Sequence, residues 1–340
     1  MAERTPALDG YRMPPEWARH SRTWMCWPCR IEAWGSPDGL ARAKQATARV
    51  AAAIARFEPV TMATRPQDAA EVRQVCGDTV EFFETPLDDS WARDIGPSFL
   101  SGPGRAGVAW RFNAWGGKYH PFENDSRFAA RILEQRQARL YRAPLVCEGG
   151  AIHVDGEGTL LTTEQCLLNP NRNPQYDRAQ IEETLKCHTG VERIVWIAEL
   201  FLDEETDGHI DNIACFAAPG RVILGIPASR SHPDFPAVEA ARARLASARD
   251  ARGRPFEIVE IGQPRGQRTD WRGRSLAASY VNFYLANGAV IIPAFDNPAD
   301  EPARAVLAAC FPDREIVQVD ARAIVDGGGG IHCITQQEPA

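Results

Sequence analysis

The sequence predicts one α/β domain in which five β-β-α-β units close into a ring. Three observations support this fold class: a strand–turn–strand pattern that occurs four times, a helix pattern after each occurrence, and a fifth unit whose parts lie at the two ends of the chain. No serine- or glycine-rich linker divides the 340 residues. A single domain covering residues 1–340 is therefore expected.

The four complete units each begin with a hairpin pattern. Runs rich in Val, Ile, Phe, Tyr or Thr lie on both sides of a turn that contains glycine. This arrangement is typical of two antiparallel strands joined by a short turn. The segments are 98–112, 151–163, 212–226 and 280–294.

A helix is predicted after each hairpin, because apolar residues recur there at intervals of three and four. Asn124, Pro233-Asp234 and Asn297-Pro298 provide helix start signals. The predicted helices span 124–139, 176–188, 234–251 and 298–310. A short apolar run then follows, for example 193–197 or 315–319, and predicts a buried strand.

The fifth unit is split between the chain ends. Residues 23–27, a predicted helix at 39–56 and a predicted strand at 58–63 open the chain, and residues 330–335 lie near its end. Pairing 23–27 with 330–335 would complete a fifth hairpin and close the ring. Closure removes free sheet edges, which repeated β architectures must avoid or protect.

Composition excludes several classes of partner and site. The net charge is −7 with no block of like charges, so neither nucleic acid nor an anionic membrane is an expected partner. No apolar run approaches a membrane span and residues 1–9 lack a signal-peptide pattern, so a cytoplasmic location is expected. Nine scattered cysteines indicate reduced thiols. The pair Cys26 and Cys29 lacks a second pair, so no metal site is expected.

Four consecutive glycines at 327–330 lead to Ile331, His332 and Cys333. Because glycine has no side chain, such a run indicates a backbone that comes very close to another group. A single cysteine delivered by this turn resembles a presented nucleophile. The alternative is a flexible C-terminal tail with an unrelated thiol.

Polar clusters occur at similar positions in successive units, namely 88–94, 147–150, 207–211 and 330–333. In a closed ring, equivalent positions face the same axis. We therefore expect five side chains to meet in one site: Asp94, Glu148, His209, Asp211 and Cys333.

Each polar residue also has a simpler explanation when taken alone. Asp94 could pair with Arg93 at the surface, Glu148 could cap a turn, and His209 with Asp211 could form an ordinary turn. Their recurrence at the same place in successive units favours the common site.

The residue types predict the charge of the substrate. His209 could serve as general acid and base for the thiol of Cys333. Three carboxylates, however, would repel an oxyanion and raise the pKa of the thiol, so a plain ester or amide hydrolase is disfavoured. A guanidinium ion is planar, cationic and able to donate two hydrogen bonds to one carboxylate. The site therefore suits a guanidino compound.

The motifs resemble those of the agmatine deiminases, in the guanidino-modifying or pentein superfamily, over nearly the whole chain. Three departures occur: Gly330 stands where the family usually has Asn, residues 225–231 lack an acidic, tryptophan-containing stretch, and Cys26 and Cys29 fall where other residues are more usual. The motifs are Met13-Pro-Pro-Glu-Trp17, Asp89-Ser-Trp-Ala-Arg-Asp-Ile-Gly-Pro97, Asn113-Ala-Trp-Gly-Gly-Lys-Tyr119, Glu148-Gly-Gly150, Cys166-Leu-Leu-Asn-Pro-Asn-Arg-Asn-Pro174, Asp207-Gly-His-Ile-Asp-Asn212, Ser279-Tyr-Val-Asn-Phe-Tyr284 and Gly330-Ile-His-Cys-Ile-Thr-Gln-Gln337.

This resemblance implies a five-bladed α/β propeller and a set of roles. Cys333 would attack the guanidinium carbon, and His209 would protonate the departing ammonia and then activate water. Asp94 and Asp211 would hold the guanidinium nitrogens, and Glu148 would orient His209 or complete the group of carboxylates. The implied reaction converts agmatine and water to N-carbamoylputrescine and ammonia, with neither a metal nor an organic cofactor.

The far end of the substrate is less defined by the resemblance. Trp91 and Trp115 would wall the site, or else belong to the core. Glu204, Glu205 and Asp207 are acidic candidates for binding a primary amine. Deimination of a peptide-terminal arginine or another alkylguanidine, amidino transfer, and a non-catalytic binding protein are the alternatives. A small cationic guanidino compound is the expected partner, and a homo-oligomer is left open.

Overall fold

The structure is a computed structural model that describes residues 4–198, 201–266 and 268–340. Its strands are β1 (His20–Cys26), β2 (Val60–Thr64), β3 (Glu81–Glu84), β4 (Ser98–Leu100), β5 (Ala106–Arg111), β6 (Arg139–Val146), β7 (Ile152–Val154), β8 (Thr159–Thr163), β9 (Arg193–Ile197), β10 (Ala214–Ala218), β11 (Arg221–Ile226), β12 (Glu257–Gly262), β13 (Arg268–Thr269), β14 (Ser275–Leu276), β15 (Tyr284–Ala286), β16 (Ala289–Ala294), β17 (Glu315–Asp320) and β18 (Thr335–Pro339).

Helices connect these strands. They are α1 (Ile31–Trp34), α2 (Pro37–Ala55), α3 (Ala69–Cys76), α4 (Ala92–Ile95), α5 (Ala114–Gly117), α6 (Phe128–Gln135), α7 (Glu164–Leu167), α8 (Arg178–Thr189), α9 (Phe235–Ser247), α10 (Asp300–Cys310) and α11 (Arg322–Val325). Short 3₁₀ turns lie at Pro66–Asp68, Gly77–Thr79, Asp125–Arg127, Gly149–Ala151 and Ile210–Asn212.

Four sheets have the same construction. Their strand orders are β4-β5-β6, β7-β8-β9, β10-β11-β12 and β15-β16-β17, and in each the first pair is antiparallel and the second parallel. A parallel third strand requires a long crossover, which α6, α8, α9 and α10 supply. All four predicted hairpins and the helix after each are confirmed.

The predicted helix at 124–139 is too long at both ends. Its first residues form the 3₁₀ turn Asp125–Arg127, and α6 ends at Gln135. Gln137 then has a φ of +49°, a left-handed backbone that stops the helix, and Arg139 begins β6. The helix predicted at 234–251 likewise ends earlier, at Ser247.

The fifth sheet joins the two chain ends, in the order β18-β1-β2-β3. Strand β18 is antiparallel to β1, with Met25 opposite Thr335 and Trp24 opposite Gln336. Pairing of the ends is confirmed, but the prediction of a strand at 330–335 was wrong: the closing strand starts at Thr335, and 331–334 form turns.

Helix α2 illustrates how the sequence builds these elements. The hydroxyl of Ser36 accepts a hydrogen bond of 3.0 Å from the backbone N–H of Gly39, and Pro37 occupies the first turn. Its apolar face, which includes Ala43, Val50 and Ile54, is buried in the largest apolar cluster. Burial of this face, more than helix propensity, stabilises the helix.

Two composition-based expectations can be compared with the structure. Each of the nine cysteines is a free thiol, including Cys26 and Cys29. Within the described ranges, no helix combines the length and apolar character needed to cross a membrane.

The closing strand is held by a buried carboxylate. Glu338 is 3% exposed. One carboxylate oxygen accepts a 2.9 Å hydrogen bond from the indole N–H of Trp24 on β1, and the other accepts a 2.8 Å bond from Nε of Arg136, just after α6. Glu338 therefore ties β18 both to its partner strand and to the neighbouring unit.

We predict that Glu338→Ala lowers the free energy of unfolding by about 2 kcal/mol, because the indole and guanidinium donors lose their buried acceptor. Glu315→Ala is the matched control, since its ion pair with Arg56 is about half exposed on both sides. The control should change stability by less than about 0.5 kcal/mol. Urea denaturation of the three proteins checks this; equal effects would contradict it.

Candidate active site

The five side chains predicted to meet do come together. Asp94 lies in α4 before β4, and Glu148 precedes the 3₁₀ turn before β7. His209 and Asp211 lie at the 3₁₀ turn before β10, and Cys333 lies two residues before β18. All five are at most 5% exposed. The beginnings of four hairpins thus supply one buried cluster.

Gly150 shows how tightly these groups converge. A Cβ atom at this position would lie 2.6 Å from Nδ1 of His209, and 2.9 Å from a carboxylate oxygen of both Asp211 and Asp94. Such contacts are too short for any carbon atom. Glycine is required because three side chains from two units occupy the space beside its backbone.

The thiol of Cys333 lies among carboxylates. Its Sγ is 3.6 Å from Oδ2 of Asp211, and it accepts a hydrogen bond of 3.3 Å from Nδ2 of Asn282. Burial and the negative charges of Asp211 and Asp94 raise the pKa of the Cys333 thiol well above its ordinary value. The expectation of a raised thiol pKa therefore agrees with the environment in the structure.

Asp211 is oriented by a chain of buried charges. Its Oδ2 lies 2.8 Å from Nδ1 of His332, whose Nε2 lies 2.8 Å from Glu16. Glu16 in turn pairs with Arg93 at 3.2 Å. Because both ring nitrogens of His332 face carboxylates, both act as donors in the protonated ring. Burial alone would lower the pKa of His332, but Glu16 and Asp211 raise it. The other oxygen, Oδ1 of Asp211, has no hydrogen-bond partner among the described residues.

His209 is completely buried, and neither ring nitrogen has a hydrogen-bond partner in the described part of the chain. Nδ1 is 3.8 Å from Asp94 and Nε2 is 3.7 Å from Glu148, both longer than a hydrogen bond. Burial opposes the charged ring, yet the nearby carboxylates raise the pKa of His209 well above its ordinary value. A buried imidazolium with free N–H groups can donate a proton to a bound molecule.

Glu148 is fixed by Arg172. One carboxylate oxygen accepts a 2.7 Å bond from Nε of Arg172, whose Nη1 also pairs with Asp207 at 2.7 Å. Burial would raise the pKa of Glu148, but the charges of Arg172 and His209 lower it to about 2. Glu148 is therefore ionised. Its other oxygen, Oε2, accepts a 3.8 Å hydrogen bond from the Cys166 thiol and faces Nε2 of His209, the arrangement expected for orienting that ring.

One group of donor atoms in the site has metal-ligand character. Glu148, Cys166 and His209 each offer an atom within 4.8 Å of the others, and all three are buried. The guanidinium of Arg172 is bound to the same carboxylate, which places a positive charge beside the group. That charge disfavours a divalent cation.

The two predicted tryptophans contact the site in different ways. Trp115 donates an indole hydrogen bond of 2.9 Å to Oδ2 of Asp94. Its backbone is left-handed, with φ +52°, as is that of Ala114 at +56°. Such strain in non-glycine residues is typical of functional sites. Trp91 stacks on Trp34 with 5.8 Å between ring centres, so it belongs to the core as well as to the edge of the site.

The glycine run lies against four side chains. A Cβ atom at 327, 328, 329 or 330 would lie within 2.3–2.6 Å of another residue. Those residues are, in order, Trp34, Glu205, Trp91 and Asn282. The sequence-based explanation of a closely approached backbone is thus supported by the packing, and the alternative of a flexible tail is not.

The acidic candidates for an amine are already paired in part. Asp207 accepts from Arg172 and from Lys118, the latter at 2.9 Å. Glu205 pairs with Arg274 at 2.7 Å and accepts a hydrogen bond from the Tyr119 hydroxyl. The side chain of Glu204 is exposed. A substrate amine would therefore compete with resident cations at Asp207 and Glu205.

Sequence reasoning missed the residues that hold the predicted ones in place. Arg172, Glu16, His332 and Asn282 lie inside motifs used for the resemblance, but no role was assigned to them. Asn282 could have been found, because it lies two residues before β15, as Cys333 lies two residues before β18. It fills the corresponding place in the fourth unit.

A family model for the Porphyromonas-type peptidyl-arginine deiminases matches residues 12–339. The chain belongs to this family. Among relatives, an agmatine deiminase of Stutzerimonas stutzeri is 45% identical over 99% of this chain and 97% of its own length. One from Pseudomonas aeruginosa is 44% identical with the same coverage.

Solved structures of family members share the fold. The agmatine deiminase of Enterococcus faecalis has a TM-score of 0.95 and 37% identity, covering all of this chain and 98% of that one. The resemblance stated from the motifs is confirmed. The α/β fold class of the pentein superfamily is confirmed with it. The four three-stranded sheets of the same construction, together with the four-stranded sheet at the chain ends, agree with a five-bladed propeller.

We predict that Gly150→Ala lowers kcat/KM for a guanidino substrate at least 100-fold, since its methyl group would displace His209, Asp211 or Asp94. Gly262→Ala is the control, because a Cβ atom there meets nothing within 4 Å and the backbone is not left-handed. Steady-state rates with matched circular dichroism spectra check this. Near-normal activity of Gly150→Ala would contradict the packing described above.

Proposed function

We propose that this protein is a cysteine-dependent deiminase that converts agmatine and water to N-carbamoylputrescine and ammonia. The observation that carries the proposal is the position of the Cys333 thiol, 3.6 Å from Asp211 in a buried cluster that also contains Asp94, Glu148 and His209. The names and full-length similarity of the agmatine deiminases described above support the choice of substrate.

The guanidinium ion would satisfy the unpaired atoms of the site. Oδ1 of Asp211 is buried, has no hydrogen-bond partner within the described ranges, and can accept an N–H of the substrate. Asp94 already accepts one bond on each oxygen, from Gly150 and Trp115, and each oxygen has a further lone pair. Two carboxylates can thus hold two guanidinium nitrogens with the carbon facing the sulfur.

The charge of the substrate explains how a thiol with a raised pKa can react. Without substrate, a thiolate would add a third negative charge beside Asp211 and Asp94. A bound guanidinium supplies one positive charge. If the thiol then loses its proton to solvent, the site with substrate and thiolate has the same net charge as the site with thiol and no substrate. The site therefore favours the thiolate when a cationic substrate is present.

The chemical steps follow from this arrangement. The sulfur of Cys333 forms a bond to the guanidinium carbon. His209 donates a proton to one terminal nitrogen, the C–N bond breaks, and ammonia leaves while the alkylamidino group stays on the sulfur. Neutral His209 then takes a proton from water, whose oxygen adds to the same carbon. The C–S bond then breaks as the hydroxyl proton of the adduct is lost to solvent, where it is balanced by the conversion of the departed ammonia to ammonium. The neutral ureido product leaves, and the thiolate and protonated His209 are restored.

The enclosure of the site favours a small substrate over a peptide. Cys333 is 2% exposed, and Trp91 and Glu205 lie against the glycine run that leads to it. The family description nevertheless names peptidyl arginine, so arginine at a peptide end is the second candidate substrate. We further propose a cytoplasmic location, which the nine free thiols support. The proposed partner is the small cationic guanidino substrate, and neither nucleic acid nor a membrane is a proposed partner.

A substrate panel tests the proposal. We expect ammonia and ureido product from agmatine, with kcat/KM at least 100-fold above that for free arginine and for an arginine-terminated peptide. Added glycine or ornithine should give no amidino transfer product. Turnover of the peptide or arginine in preference to agmatine would overturn the choice of substrate, and a transfer product would overturn hydrolysis.

The state of the thiol has its own test. Without substrate, the rate at which iodoacetamide alkylates Cys333 should still rise with pH at pH 9, since the raised pKa keeps the thiol protonated below that. Asp211→Asn removes a negative charge next to the sulfur and should lower the thiol pKa. Alkylation at pH 7.5 should then be about tenfold faster, even though turnover is lost.

Asp313→Asn, at an exposed site, is the control and should leave the alkylation rate unchanged. Mass analysis of the peptide containing residue 333 separates this thiol from the other eight. A rate that levels off below pH 8 in the unmodified protein would contradict the account of the site's charge.

A further inference from the structure

Asn282 occupies the fourth unit's position in the ring of site residues. It lies two residues before β15, and it is 1% exposed. Its carboxamide touches three other site elements: the thiol of Cys333, the backbone of His332 and the turn that carries Asp211. The motif that contains Asn282 does not indicate a role for it, and the reaction steps proposed above do not use it.

The hydrogen bonds fix which end of the carboxamide lies nearer the sulfur. The backbone N–H of His332 can only donate, and it lies 2.9 Å from Oδ1 of Asn282. The other end is therefore the amino group. Its Nδ2 donates to Oδ1 of Asn212 at 3.0 Å and to Sγ of Cys333 at 3.3 Å, whereas Oδ1 lies 3.6 Å from the same sulfur.

This N–H contrasts with the other groups around the sulfur. Asp211 lies 3.6 Å from Sγ, and the negative charge of Asp94 also acts on the thiol. The adjacent His332 is bonded to Asp211 and Glu16. The backbone N–H of Arg93 donates to the backbone oxygen of Cys333 and not to its sulfur. Asn282 thus places a neutral donor on a sulfur whose charged neighbours are carboxylates.

We propose that Asn282 is a catalytic residue of this chain that stabilises the Cys333 thiolate by donating its side-chain N–H to the sulfur. The inference rests on the proposed function for its consequences in turnover, but the contact itself concerns only the thiol. A donor that holds the sulfur in place also keeps it directed at the substrate carbon as the C–S bond forms and breaks.

Gly330 is coupled to this role. A Cβ atom at position 330 would lie 2.3 Å from Oδ1 and 2.7 Å from Cγ of Asn282. The missing side chain leaves the carboxamide the space in which it bonds both His332 and Cys333.

The test compares Asn282→Ala and Asn282→Asp with the unmodified protein in two measurements. The first is the pH dependence of iodoacetamide alkylation at Cys333, which needs no substrate. The second is the pH dependence of kcat/KM for agmatine. Asn212→Ala is the matched control, because it removes an acceptor from Nδ2 but leaves the donor to the sulfur.

Asn282→Ala loses a hydrogen bond to the charged sulfur. The pH at which alkylation rises, and the pH at which kcat/KM rises, should both increase by about one unit. The shift should be larger in Asn282→Asp, which adds a negative charge. Alkylation at pH 8 should fall about tenfold in Asn282→Ala and hardly at all in Asn212→Ala.

Reduced activity at every pH with unshifted profiles would overturn the proposal and leave Asn282 a purely structural residue. Thermal melts identify variants that fail to fold. If both Asn282 variants fail to fold, Gly330→Ala is used in their place, because its methyl group would press on the Asn282 carboxamide. It should shift the pH profile of alkylation upward, as Asn282→Ala does. If agmatine is not a substrate, the alkylation profiles still decide the role of Asn282, so the two proposals can fail separately.

Discussion

The antiparallel pairing of β1 with β18 is the contact on which the site depends. It joins residues that are more than 300 positions apart, and it fixes Thr335 opposite Met25. Cys333 is only two residues before that strand. The strand pairing therefore decides whether the thiol reaches the histidine and carboxylates that earlier units supply, and Glu338 stabilises it from within the core.

Several buried charges of the site have a defined partner. Arg172 compensates Glu148, while His332 is shared between Asp211 and Glu16, which Arg93 also contacts. Buried charges without partners would cost several kcal/mol each. Among the residues that the structure describes, both ring nitrogens of His209 and Oδ1 of Asp211 lack a hydrogen-bond partner, and Asp94 lies 3.8 Å from His209. A planar cation with several N–H donors is the ligand that completes this arrangement.

The sequence allowed the repeated units and the five central side chains to be predicted because both depend on local, periodic signals. Hairpin turns and helix starts recur in the chain, and polar residues such as Asp94 and His209 recur just ahead of the strands. The closing strand was predicted too early in the chain because Ile331 and Ile334 are residue types common in strands. In the structure the glycine run packs against Trp34, Glu205 and Trp91, and turns form there instead.

The supporting residues were harder to predict, since their roles come from long-range contacts. Nothing near Arg172 in sequence indicates that it binds Glu148, and nothing near Glu16 indicates that it meets His332. Asn282 is intermediate: its place ahead of β15 follows the repeat, but an amide gives no indication of a charge or a nucleophile. Its importance became visible only when Cys333 was found beside it.

The central claim is that Cys333 forms a covalent intermediate with the guanidinium carbon before water does. It is tested most directly by quenching the protein with acid during turnover of agmatine and measuring the mass of the peptide that contains residue 333. The account predicts a mass increase equal to agmatine less ammonia, confined to Cys333. Steady turnover with an unmodified Cys333 peptide, or an increase equal to a bare amidino group, would contradict it.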